Sequence, residues 1–246
     1  MLISTNFPGA SLVPWVCSPS DTGNYGDGLS PRNEDAFAPH VNYGRRRPTF
    51  ADHYRDAKLA IQKNEWHKAI VDLGNALDLN PDYCEAHWML GLAHDATGEY
   101  ELAADNYTEV IRIDPRNATG YCNRGAARGK LGDYEHAISD LIDAIRLAPD
   151  YAKAYYNLGV ARGSMKQYQA AIDNLMMSLD YDPQNAETYY HLGVAHGKLD
   201  QDELALHYFN KALELNPQYS DARYNRTVLR IAEFQQTAYA VTWKTP

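Results

Sequence analysis

Residues 118–151 read ATGYCNRGAARGKLGDYEHAISDLIDAIRLAPDY, and the stretch is one of five 34-residue units that follow one another without insertion or deletion. Its proline, Pro149, has counterparts at Pro81, Pro115, Pro183 and Pro217, each 34 residues from the next. Inside the stretch, small residues stand at the eighth and twentieth positions (Gly125, Ala137), and Leu141, Ala144 and Leu147 follow at spacings of three. That spacing draws one apolar stripe along a second helix, while LGD (131–133) breaks the chain between two helical runs. Proline stops the second run and biases its predecessor away from helical geometry. Each unit is therefore a helical hairpin that cannot bury its stripe alone and must stack on its neighbours. A fixed period takes precedence over a domain count by length.

Working outward, the units run 50–83, 84–117, 118–151, 152–185 and 186–219. The eighth position is small throughout (Ala57, Gly91, Gly125, Gly159, Gly193) and the twenty-fourth large (Leu73, Tyr107, Leu141, Leu175, Phe209). The thirtieth is also large (Leu79, Ile113, Leu147, Tyr181, Leu215) and is expected on the stripe. After Tyr219, SDARYNRTVLRIAEFQQ continues the first-helix pattern, with Ser220 as the expected N-cap. It is expected to be a capping helix over 220–236, followed by a tail at 237–246. Residues 1–49 hold six of the twelve prolines, no helical stripe and five scattered aromatics, and are expected to form an extended N-terminal arm.

Composition mostly excludes. With 45% hydrophobic and 22% charged residues, the chain can bury a core. No run approaches the roughly 18 to 20 apolar residues of a membrane helix. The N-terminus lacks a basic region, and Pro8 and Pro14 break its apolar stretch, which argues against a secretory signal. Cys17, Cys84 and Cys122 show no CxxC spacing and read as free thiols of a cytoplasmic, reducing compartment. The net charge of −9 falls wholly on residues 50–246, because the arm's four basic and four acidic residues cancel. An acidic body repels nucleic acid and anionic lipid.

No GxSxG, P-loop, GxGxxG or HExxH occurs, so no enzyme and no cofactor are expected. His87 and His94 share a helix face, but zinc needs further ligands that the sequence does not supply nearby, and no metal is expected. Three Asn-x-Thr matches, at Asn106, Asn117 and Asn225, are attributed to chance. Arg45, Arg46 and Arg47 make too short a basic run for a nucleic-acid patch.

The 34-residue pattern resembles the tetratricopeptide repeat family over residues 50–219. It departs at the eleventh position, where the family's usual Tyr is replaced by Ala60, His94, Arg128, Arg162 and His196, and at the seventh in Asp56 and Arg124. The resemblance implies an all-α fold: a right-handed helical solenoid of five hairpins plus the capping helix. It also implies a concave groove lined by the second, fifth, sixth, ninth, twelfth and thirteenth positions of each first helix. The fifth gives Trp88, Cys122, Tyr156, Tyr190 and Tyr224; the sixth gives Asn123, Asn157, His191 and Asn225. This row is similar in part to the asparagine ladder of the transferase that attaches N-acetylglucosamine to proteins. Gly129, Gly163 and Gly197 share the twelfth position, either as a strip for close backbone approach or as tolerated helix-end glycines. The clamp that holds acidic chaperone tails matches at only two of five positions, Asn123 and Lys153. Groove acids Glu85, Asp95, Glu187 and Asp221 favour neutral or basic peptides over such tails. The expected function is a non-catalytic interaction scaffold binding a peptide or helix. The alternative is a structural subunit or assembly factor of a large complex, held by the arm and the convex face.

Overall fold

The structure, a computed structural model, describes residues 47–242, with side chains to residue 235. The expectations for the arm lie outside these residues, as does Cys17. Within the described part the chain is an all-α helical solenoid of eleven helices. Five hairpins come first: α1 (Phe50–Gln62) with α2 (Trp66–Leu79), α3 (Cys84–Thr97) with α4 (Tyr100–Ile113), α5 (Ala118–Lys130) with α6 (Tyr134–Leu147), α7 (Ala152–Ser164) with α8 (Tyr168–Tyr181), and α9 (Ala186–Lys198) with α10 (Asp202–Leu215). Helix α11 (Ser220–Thr242) closes the series and outruns its expected end at 236, since neither proline nor glycine interrupts it. Ser220 is its first helical residue, not its cap, and its hydroxyl donates to Asp221.

The small-large rule follows from steric fit. A Cβ on Gly125 would lie 2.9 Å from Leu141 Cγ and 3.1 Å from the Ala137 carbonyl oxygen; on Gly193 it would lie 2.6 Å from the Phe209 ring. The eighth position therefore stays bare so that the twenty-fourth can fill the hairpin. Leu73, Tyr107, Leu141, Leu175 and Phe209 are accordingly all buried. The thirtieth position departs from the expected stripe. Leu79, Tyr181 and Leu215 are exposed, whereas Ile113 and Leu147 are half-buried, Leu147 against the cluster that holds Ala154 and Leu158 of α7.

Every hairpin turns in the same way. The fifteenth residue takes the left-handed conformation in all five units, at Asn64, Gly98, Gly132, Lys166 and Asp200. The following amide then donates back to the eleventh carbonyl, as from Asp133 to Arg128 (3.0 Å) and Gln167 to Arg162 (2.9 Å), which satisfies a helix-end acceptor. Starts are capped where the sequence allows: Thr49 forms a capping box with Asp52, and Asn117 and Asn185 accept from Gly120 and Thr188. Each helix packs on its neighbours in sequence, and α7 also touches α5 and α9.

Candidate functional site

Stacked first helices bring the fifth position of one unit over the sixth of the next, 35 residues on. Asn157 Nδ2 donates to Cys122 Sγ (3.7 Å) and Asn225 Nδ2 to the Tyr190 hydroxyl (3.4 Å). Between them the Tyr156 ring meets His191 edge-on at 5.6 Å. The amides read as an open ladder are buried instead: Asn123 is 1%, Asn157 0% and Asn225 1% exposed. A buried amide without partners is costly, so the neighbouring unit's sulfur or hydroxyl takes up part of its hydrogen-bonding capacity. Tyr156 and Tyr190 are buried as well, and burial pushes the Tyr190 phenol up to about 12. At the ends of the row, Trp88 packs half-buried on Ala103, Tyr107 and Ala127, and Tyr224 stays exposed.

The twelfth and thirteenth positions differ along the molecule. Between units two and three, Lys130 Nζ lies 2.7 Å from both carboxylate oxygens of Asp95, and both side chains are buried. Asp95, read as a groove acid facing a ligand, is neutralised inside the protein. Unit four has Gly163 where Asp95 stands, and a cavity of about 390 Å3 opens there. Gly163, Ser164, Tyr134, Tyr168, His191 and Lys198 are among its lining residues. Gly129 and Gly197 are buried, whereas Gly163 is half-buried at the cavity wall.

His191 Nε2 is buried and has no hydrogen-bond partner among the described residues. Burial, reinforced by the nearby Lys153 ammonium, lowers its pKa to about 4, so the imidazole is neutral at pH 7. The Tyr156 hydroxyl is likewise buried without a partner among the described residues, and Lys153 Nζ lies 4.7 Å from its ring centroid. The cavity is therefore a mostly apolar recess with the neutral His191 imidazole and the Lys198 side chain in its wall.

A family model described as TPR repeat matches residues 58–98, 96–132, 130–166 and 164–200, and one described as tetratricopeptide repeat matches 186–219. The chain belongs to the tetratricopeptide repeat family. Among solved structures, it is similar to a MamA protein at 25% identity, covering 70% of this chain and 95% of that one, with a TM-score of 0.61. PilF of Pseudomonas aeruginosa shares the fold at 22% identity, with 78% and 87% covered and a TM-score of 0.65. YrrB, a tetratricopeptide protein whose structure is described as having an unusual peptide-binding site, does so at 22% identity, with 72% and 91% covered and a TM-score of 0.58. No curated protein sequence matches. Tetratricopeptide solenoids are protein-interaction scaffolds, and this chain carries such a scaffold.

The departures from the family pattern also have a structural account. Arg124 and Arg128, at the seventh and eleventh positions of unit three, both grip the buried Asp140 of α6: Arg124 Nη2 to Oδ1 and Arg128 Nη1 to Oδ2, each at 2.7 Å. An ionic triad thus replaces the usual leucine and tyrosine. His87 and His94 are each engaged elsewhere, His87 with the Pro81 carbonyl oxygen and Asn106, His94 with Glu99 at 2.7 Å. The free-thiol expectation holds for Cys84. No described helix is long and apolar enough to cross a membrane.

The sequence reading missed the Asp95–Lys130 pair. Its signal was available, two opposite charges 35 residues apart in positions that face each other once first helices stack. Lys198, Tyr134 and Tyr168 went unnoticed for another reason, since a cavity wall assembles residues from three units.

Proposed function

We propose that this solenoid is a non-catalytic scaffold whose concave, first-helix side takes a neutral or basic peptide or helix of a protein partner, seated at the cavity of units three to five. The supporting observation is the buried, unpartnered Nε2 of neutral His191 in the wall of a 390 Å3 recess beside Gly163. Gly163 leaves room for a ligand backbone. Trp88 and Tyr224 mark the ends of the row, with Asn123, Tyr156, Asn157, Tyr190, Asn225, Gly129 and Gly197 as its supporting wall. Glu85, Glu187 and Asp221 supply the charge bias now that Asp95 is paired internally. The binding body comprises the five units of 50–219 and α11; no cofactor, metal or nucleic acid enters the proposal.

The test is a peptide selected from a random library on the wild-type protein, then titrated against Gly163→Leu and His191→Leu. Binding at least tenfold weaker, with the melting temperature nearly unchanged, is expected. Equal affinity for all three proteins contradicts the cavity as the seat.

A second reading, a subunit of a larger assembly held by the convex face, is favoured by apolar side chains exposed on second helices. Leu102, Ile142, Met176, Met177 and Leu204 are each 37% to 47% exposed. Exposed apolar patches of this kind mark contact surfaces. Loss of assembly on replacing Ile142, Met176 and Met177 by serine, with the library peptide still bound, would favour it.

A further inference from the structure

Helix α11 repeats two of the residues that hold a helix in unit three. Its seventh and eleventh positions are Arg226 and Arg230, the counterparts of Arg124 and Arg128. In unit three, Arg124 Nη1 donates backward to Thr108 of the preceding helix (3.2 Å), while both arginines close forward on Asp140. In α11, Arg226 Nη1 donates backward to Asn210 (3.3 Å), the same 16 residues away. Among the described residues no following helix supplies the counterpart of Asp140, and neither Arg226 nor Arg230 has an ion-pair partner. Neighbouring Glu214 is engaged by Lys211 at 2.8 Å. An open recess of about 420 Å3 is lined by Arg226 and Arg230 together with Asn210, Leu213 and Glu214, and Phe234, one turn after Arg230, is 76% exposed. Ala222, Asn225 and Leu229 are the side of α11 buried in the solenoid; Arg226 flanks that side, half-buried, while Arg230 and Phe234 turn outward and are exposed.

We propose that this face of α11 docks a helix of a partner protein that presents an aspartate or glutamate to Arg226 and Arg230, in the manner of Asp140. Charge complementarity selects the carboxylate, and two guanidiniums fix its position by charge-assisted hydrogen bonds. Position eight refines the partner further. Units two to five place glycine there against a large side chain, whereas α11 has Thr227. The docked helix therefore carries a small residue next to its carboxylate, where α6 has Leu141. This surface is separate from the cavity of units three to five, so the two proposals stand or fall independently.

The probe is a stapled peptide of residues 134–147, the α6 helix itself, titrated into the full-length protein by fluorescence anisotropy. Saturable binding is expected, weakened at least tenfold by R226Q/R230Q and equally by Asp140→Asn in the peptide, with no further loss when both are combined. A Leu141→Ala peptide should bind several-fold tighter. Absence of saturable binding up to millimolar peptide, or binding indifferent to the arginines, overturns the proposal. A dimer in sedimentation velocity that R226Q/R230Q abolishes would assign the face to a second copy and overturn the partner assignment.

Discussion

Two junctions built from the same positions end up opposite in character. Between units two and three, Asp95 and Lys130 seal the first-helix side with a buried ion pair. Between units four and five, Gly163 stands in the place of Asp95, and the space becomes a cavity walled by His191. The turns follow the same division. Units two and three use Gly98 and Gly132 in the left-handed position, while units four and five force Lys166 and Asp200 into it at φ of 62° and 57°. A repeat scaffold thus keeps one backbone while the side chains at matched positions make one junction closed and another receptive; Gly129, at the same position as Gly163, stays buried.

The largest expected effect comes from breaking the closed junction. Asp95→Ala strands the Lys130 ammonium in a buried site and should destabilise by about 3 to 5 kcal/mol in urea melts. Asp95→Leu combined with Lys130→Met should recover most of that loss; a double variant no better than the single one would mean that the pair is not what seals the junction.

At the open junction, acidity is the lever. His191 has a folded pKa of about 4 against an ordinary 6.5, so the unfolded chain binds more protons between those values. Its contribution to stability is complete above about pH 6.5 and is lost as pH falls toward 4. That loss is on the order of 3 kcal/mol. His191→Asn, which copies the residue of units three and four, should remove this part of the acid sensitivity; identical pH profiles would refute the assignment.

Smaller effects sharpen the contrast. A Cβ at Gly163 would meet only Ala171 Cβ, at 3.8 Å. Gly163→Ala should therefore gain about 0.5 to 1 kcal/mol in thermal unfolding, the usual gain for alanine over glycine inside a helix. Lys166→Gly, which gives unit four the turn residue of its neighbours, should gain about 0.5 kcal/mol by relieving left-handed strain, and a loss there would show that the turn is not strained.

The period made the helices legible. Gly125 facing Leu141, and Pro149 ending α6, are local constraints that recur every 34 residues and therefore announce themselves. The thirtieth position misled because periodicity identifies the face of a helix and not how far the neighbouring helix covers it. The candidate site was legible as a row and misread in exposure: Asn157 and Asn225 lie on the expected positions, but their partners, Cys122 and Tyr190, sit one unit and one residue away. Such offsets exist only after stacking. The cavity was harder still, since it arises from an absent side chain at Gly163 together with groups on three units.

Helices here pack on sequence neighbours, with α5, α7 and α9 adding contacts only one unit further. The molecule therefore behaves as a one-dimensional chain of coupled segments. Hydrogen exchange should be slowest in α5 to α8 and should quicken toward α1 and α11, which among the described helices have a neighbour on one side only. A lesion at one junction weakens that link and leaves distant ones in place. Few contacts need long loops to close, so assembly can begin at any well-packed pair and spread outward.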